Sequence, residues 1–105
     1  MIEHNNLGWA TDVLSQSART YLIDYFEEDK TYHEKNYNLR KVWQNNIDYE
    51  DPIQAEMVDR VQLAAETTTR MKLSSCRNAF LCDYVEGSWA KGHTDNPDAS
   101  DCSVI

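Results

Sequence analysis

The sequence predicts an all-α fold, a small bundle of three to four helices followed by a polar C-terminal tail. Three observations lead there. Apolar residues recur at three- and four-residue steps over two long stretches, as amphipathic helices require. Asp51-Pro52-Ile53-Gln54 joins a capping aspartate, a proline suited to the first helical position and a glutamine placed for a capping box. Strand signals are poor, because β-branched residues never alternate over a useful stretch and no Asn-Gly or Asp-Gly turn occurs.

The elements follow in chain order. Residues 1–10 form a polar lead-in that ends in Gly8-Trp9-Ala10. Thr11 suits an N-cap and Asp12 suits the positive end of a helix dipole. Val13, Leu14, Ala18, Tyr21, Leu22, Tyr25 and Phe26 then make an apolar stripe, so the first helix is expected over Thr11 to Asp29. Over residues 32–47, Tyr32, Leu39, Val42, Trp43 and Ile47 keep a looser helical spacing. Asn36, Asn38, Asn45 and Asn46 lower helix propensity there, and a second helix is expected, either separate or running on from the first with a kink.

From Pro52, the stripe Ile53, Met57, Val61, Ala64, Ala65, Thr68 and Met71 extends through Ser75, Ala79 and Cys82 to Glu86, with Gly87 as the closing cap. One helix of that length would run about 52 Å, against a radius of gyration near 13 Å for a compact chain of this size. Either the helix breaks near Leu73-Ser74-Ser75, which is the favoured reading, or it is shared across an oligomer interface. Ser74 or Ser75 would cap a final helix carrying Cys76, Ala79, Phe80 and Tyr84. The expected organisation is a helical domain over 1–86 and a polar tail over 87–105, held only where something holds Trp89.

Charge bounds the function. The 105 residues carry a net charge of −8, which argues against sequence-independent binding to nucleic acid and against anionic membrane surfaces. No apolar run reaches the roughly 20 residues of a membrane span, and the N-terminus has no secretory leader pattern. Three cysteines, Cys76, Cys82 and Cys102, cannot all pair within one chain, so a reducing, cytoplasmic setting is expected. The partner expected for such a surface is a basic protein surface, including that of a nucleic-acid-handling enzyme.

The acids are grouped. Asp24, Glu27, Glu28, Asp29 and Glu34 form one cluster, and Asp48, Glu50, Asp51, Glu56, Asp59 and Glu66 form another. Small basic patches lie at Lys35, Arg40 and Lys41 and at Arg70, Lys72 and Arg77. Glu27-Glu28-Asp29 stands at the end of the first helix, where negative charge is unfavourable unless the helix runs past Lys30. Tyr32, Tyr37 and Tyr49 fall among the acids, and tyrosine is frequent at interface hot spots. The candidate contact residues are therefore Asp24, Glu27, Glu28, Asp29, Tyr32, Glu34, Tyr37, Asp48, Tyr49, Glu50 and Asp51.

No nucleophile elbow, phosphate loop, dinucleotide motif or zinc-protease motif occurs, and no cofactor is expected. Asp29 with His33, and His93 with Asp95 and Cys102, fall short of a recognised metal-ligand spacing. The last four residues, Cys102-Ser103-Val104-Ile105, match both a prenylation box and a C-terminal peptide ligand. The expected function is non-enzymatic: a small inhibitor or immunity-type antagonist, with nucleic-acid mimicry as one form of it. The alternative is a homo-oligomerising helical subunit with Met57, Val61, Ala64, Thr68 and Met71 at its seam.

Overall fold

The computed structural model describes residues 8–74, 78–92 and 104–105. Its elements are helix α1 (Gln16–Asp29), strands β1 (Thr31–Asn36) and β2 (Leu39–Asn46), helix α2 (Pro52–Thr69) and strand β3 (Phe80–Ala90). The strands make one antiparallel sheet in the order β1-β2-β3. The fold is thus α+β, which corrects the all-α bundle expected above.

Helix α1 starts later than Thr11 because Ser15 is the residue that caps it. The Ser15 hydroxyl accepts from the Ala18 N–H at 3.1 Å, whereas Asp12 sits at φ +56°. The helix stops at Asp29, and Lys30 is already extended with ψ 145°.

The expected second helix is a β-hairpin. Its aromatic and β-branched residues (Thr31, Tyr32, Val42, Trp43) suit a pleated surface, and cross-strand pairing gives them partners that local spacing cannot reveal. Tyr32 stands opposite Trp43, with ring centroids 5.2 Å apart in edge-to-face geometry. The helical look of Leu39, Val42 and Trp43 has a cause. Lys41 lies at φ +58° and breaks the alternation of β2.

That break also bends the hairpin. Asn36 Nδ2 donates to Gln44 Oε1 at 2.7 Å, although Asn36 pairs with Leu39 and Gln44 pairs with Thr31. Five residues of flat strand would separate them by roughly 17 Å, beyond the reach of two amide side chains. The tip therefore bends back toward Gln44, and Val42, next to the break, is 0% exposed. On the other side β3 accommodates the bend with extra residues. Arg40 pairs with Trp89 and Val42 with Tyr84, so Val85, Glu86, Gly87 and Ser88 bulge opposite Lys41. Gly87 takes φ +88° in the bulge. The Ser88 hydroxyl bridges the gap: it accepts from the Val85 N–H at 2.9 Å and donates to the Lys41 carbonyl at 2.5 Å.

Helix α2 begins as the sequence indicates, on Asp51 and Pro52, but closes on Arg70 at φ +60° rather than near Gly87. The chain then turns back along the helix. Gln62 Nε2 donates to the Leu73 carbonyl at 3.2 Å, and Glu66 Oε2 accepts from the Leu73 N–H at 2.8 Å. The expected final helix is instead strand β3, rich in aromatic and apolar residues from Phe80 to Val85. Ser75, Cys76 and Arg77, named above as cap, stripe and basic-patch residues, lie outside the described residues. β3 continues through Gly87 to Ala90, so Trp89 is a strand residue.

The core is small. Among the described residues Phe26, Val42, Met57 and Ala65 are the buried apolar side chains, and Gln54 is buried as well at 1% exposure. The radius of gyration is 14.9 Å, above the roughly 13 Å of a well-rounded chain of this length.

Candidate functional site

The end of α1 and the loop from β2 to α2 come together through two tyrosines. Tyr21 and Tyr25 are one turn apart, on one face of α1. The Tyr25 hydroxyl donates to the Asn46 carbonyl at 2.5 Å, and the Tyr21 hydroxyl donates to the Asp51 carboxylate. Asp51 is also the N-cap of α2, its Oδ1 accepting from the Ile53 N–H at 2.9 Å.

Gln54 completes the join. Its Nε2 donates to Asp51 Oδ2 at 3.3 Å, and its Oε1 accepts from the Asp48 N–H at 2.9 Å. This is the capping box foreseen from the sequence with its return bond moved three residues upstream. Asp48 Oδ1 in turn accepts from the Glu50 N–H at 3.0 Å, which closes the loop on itself.

The electrostatics follow from this arrangement. The Tyr21 hydroxyl bond holds the Asp51 carboxyl below its ordinary range, and the Ile53 and Gln54 bonds act the same way. The same bond to Asp51 raises Tyr21. Tyr25 is raised first by burial, then by the negative charges of Asp48, Asp29 and Asp51 around it. One acidic surface therefore gathers α1 residues and loop residues around two phenols.

The expected contact residues divide between several places. Asp29, Asp48, Glu50 and Asp51 belong to the surface just described, Asp24 and Glu28 are exposed residues of α1, and Tyr49 is a half-exposed member of the same loop. Glu27 and Tyr32 with Glu34 form a neighbouring group. Glu27 pairs with Lys30 at 2.8 Å, Lys30 lies 4.8 Å from the Trp43 ring centroid, and the Tyr32 hydroxyl donates to Glu34 at 3.0 Å. Tyr37 stands apart, 90% exposed at the hairpin turn among cations. Tyr21, Tyr25 and Gln54 were not among the expected site residues, because they fit the apolar stripe and the capping box equally well. A tyrosine pair at positions 21 and 25 with aspartate at 29 was the available signal.

One feature of this surface runs against local stability. α1 ends at Asp29, and its last turn holds Glu27, Glu28 and Asp29 with no basic residue. Each carboxylate at the negative pole of a helix costs about 0.3–1 kcal/mol. Of these three carboxylates, only Glu27 has an ion-pair partner among the described residues, the C-cap Lys30.

Other candidates are weaker. His33 is on β1, so it is not one helical turn from Asp29. Among the described residues no group of three or more His, Cys, Asp or Glu is placed to hold a metal. Burial pushes the Cys82 thiol up, away from the range of a reactive thiolate. His93, Asp95, Cys102 and Ser103 lie outside the described residues. Met57 is buried within the chain and Val61, Ala64, Thr68 and Met71 are half-buried, so that stripe is turned largely inward. A shallow groove of about 350 Å³ runs between the start of α1 and α2, lined by Ser15, Ser17, Tyr21, Ile53, Met57 and Arg60. No helix of the described residues is long and apolar enough to cross a membrane.

No protein-family model, no curated protein and no solved structure matches this chain.

Proposed function

We propose that the protein is a non-enzymatic binding module that occupies a basic site on another protein, as a small inhibitor or immunity-type antagonist does. The supporting observation is the end of α1. Glu28 and Asp29 stand at the negative pole of a helix that stops at Asp29, and Asp29 shares the surroundings of Tyr25 with Asp48 and Asp51. Selection for stability alone would place cations there. A basic partner surface would neutralise the acids and recover that cost on binding. The tyrosines support the reading, since Tyr21 and Tyr25 tie the acidic loop to α1 and so present the acids in one fixed arrangement.

Nucleic-acid mimicry is the narrower form of this reading, with the target being an enzyme that handles nucleic acid in a basic groove. A cytoplasmic site of action accords with the odd cysteine count.

The test separates function from folding. In Glu28→Lys/Asp29→Lys the helix end gains favourable charge, so unfolding free energy should rise by about 0.5–2 kcal/mol. Capture of a basic protein from nuclease-treated lysate, eluted by salt, should be lost in the same variant. A variant that still captures the wild-type partner with the same salt dependence refutes the proposal.

A further inference from the structure

The hairpin tip carries the opposite anomaly. Lys35 on β1 stands directly across from Arg40 on β2. Like charges at paired positions of an antiparallel ladder destabilise it. Lys41 follows at φ +58° and Tyr37 occupies the turn at φ +52°, and neither is a residue that adopts the left-handed region without cost. Among the described residues Lys35 and Lys41 make no ion pair.

The tip is nonetheless well braced. Arg40 donates to the Tyr37 and Leu39 carbonyls at 2.8 and 3.0 Å and lies 5.5 Å from the Trp89 ring centroid. The Lys91 N–H donates to the Asn38 carbonyl at 2.7 Å. Ser88 bridges the bulge behind it. Strain that the surroundings hold in place, at exposed residues, marks a recognition element. Here the held side chains are a tyrosine at 90% exposure, a tryptophan at 52% and two lysines.

We propose that the tip docks on the acidic surface of a second copy of this chain. The two surfaces are complementary in charge. One end presents cations that repel one another, and the other presents carboxylates at a negative helix pole. The ion pairs among the described residues are Glu27–Lys30 and Glu56–Arg60, so the two surfaces do not neutralise each other within the chain. Aromatic residues accompany the charge on both sides, Tyr37 and Trp89 at the tip, Tyr25 and Tyr49 at the acidic surface. The net charge of −8 repels copies at long range. At about 0.1 M salt that repulsion is screened beyond about 10 Å, and local sign governs contact. The contact is head-to-tail, so it propagates rather than closing as a two-fold dimer.

This inference rests on the acidic surface being a docking surface, and it names one occupant: the chain itself would compete with any outside partner.

The test is sedimentation velocity of the full chain at about 0.1 M salt, over the tens to hundreds of micromolar in which weak contacts associate. Wild type should gain at least twofold in weight-average mass across that range. Lys35→Gln/Lys41→Gln and Glu28→Gln/Asp29→Asn should each stay monomeric. A mixture of the two should form a one-to-one dimer and stop there, because each variant keeps only one working surface. Net charge alone predicts the reverse for the second variant, which is less negative and would associate more readily. Circular dichroism on each variant checks folding. A wild-type chain that stays monomeric, or a mixture that does not pair, overturns the inference. A wild type that stays monomeric yet captures a basic protein through Glu28 and Asp29 leaves the acidic-surface reading standing.

Discussion

Replacing Gln54 by glutamate should destabilise the protein at neutral pH and spare it in acid. Gln54 is 1% exposed, and its Nε2 lies 3.3 Å from Asp51 Oδ2. The substitution keeps size and keeps an acceptor for the Asp48 N–H, but sets a second carboxyl against the Asp51 carboxylate. Two carboxylates at that separation cannot both ionise, so one must hold a proton. Asp51 is the one kept ionised, by the Tyr21 hydroxyl and the Ile53 N–H. Holding the introduced carboxyl neutral at about pH 7 against an ordinary value of about 4.3 costs up to about 3.7 kcal/mol. Solvent beside Asp51 screens part of this, so about 2–3 kcal/mol is expected.

The sign follows from linkage. The introduced group has a raised folded-state pKa, so its penalty is absent below the unfolded value and grows as pH rises toward the folded value. Near pH 4 the difference from wild type should fall below about 1 kcal/mol, since the protonated acid donates to Asp51 as the amide did. Urea unfolding followed by tryptophan fluorescence from about pH 4 to about pH 7 reads this directly. At neutral pH the midpoint temperature should drop by roughly 10–20 °C. Gln54→Met, similar in length and without a titrating group, should lose stability equally at both ends of the range. A constant deficit for the glutamate variant would show that the Gln54–Asp51 contact does not organise the loop.

Four further outcomes are expected. A Cβ on Gly8 would fall 2.2 Å from Thr68 Cγ2, so Gly8→Ala should cost about 1 kcal/mol, and Thr68→Ser, which deletes that methyl, should relieve most of it in a double-mutant cycle. Ser88→Ala removes both hydrogen bonds across the bulge and should lower the unfolding free energy by about 1–2 kcal/mol, measured by urea denaturation. Tyr37→Asn suits the left-handed turn position better and should raise thermal stability by about 0.5–1 kcal/mol while weakening self-association in the centrifuge. Tyr21 and Tyr25 are raised in the folded state, so the stability they carry is complete below their ordinary value of about 10 and is lost as pH rises through the raised folded values; phenolate absorbance should show Tyr21→Phe and Tyr25→Phe each removing a component that ionises above that ordinary value.

The sequence by itself determined the features that depend on near neighbours. The start of α2 is the clearest case, since Asp51, Pro52 and Gln54 act within one turn and their chemistry is readable at that range. The body of α1 and its end at Asp29 follow from a stripe that stays within one helix. Net charge and the grouping of acids are likewise counts along the chain. The tertiary structure decided what depends on partners far away in sequence. β2 looks helical because Lys41 breaks its alternation, and the cohesion of β1 with β2 comes from cross-strand pairs such as Tyr32 with Trp43. β3 resembled a helix because Phe80, Tyr84 and the residues before them continue the spacing of α2, yet its hydrogen bonds go to β2, some forty residues earlier. The acidic surface was half legible for the same reason. Asp29 and Asp48 are near-neighbours only once Tyr21 and Tyr25 bind the loop to α1, and hydroxyl bonds across 21 to 30 positions leave no periodic trace in a sequence.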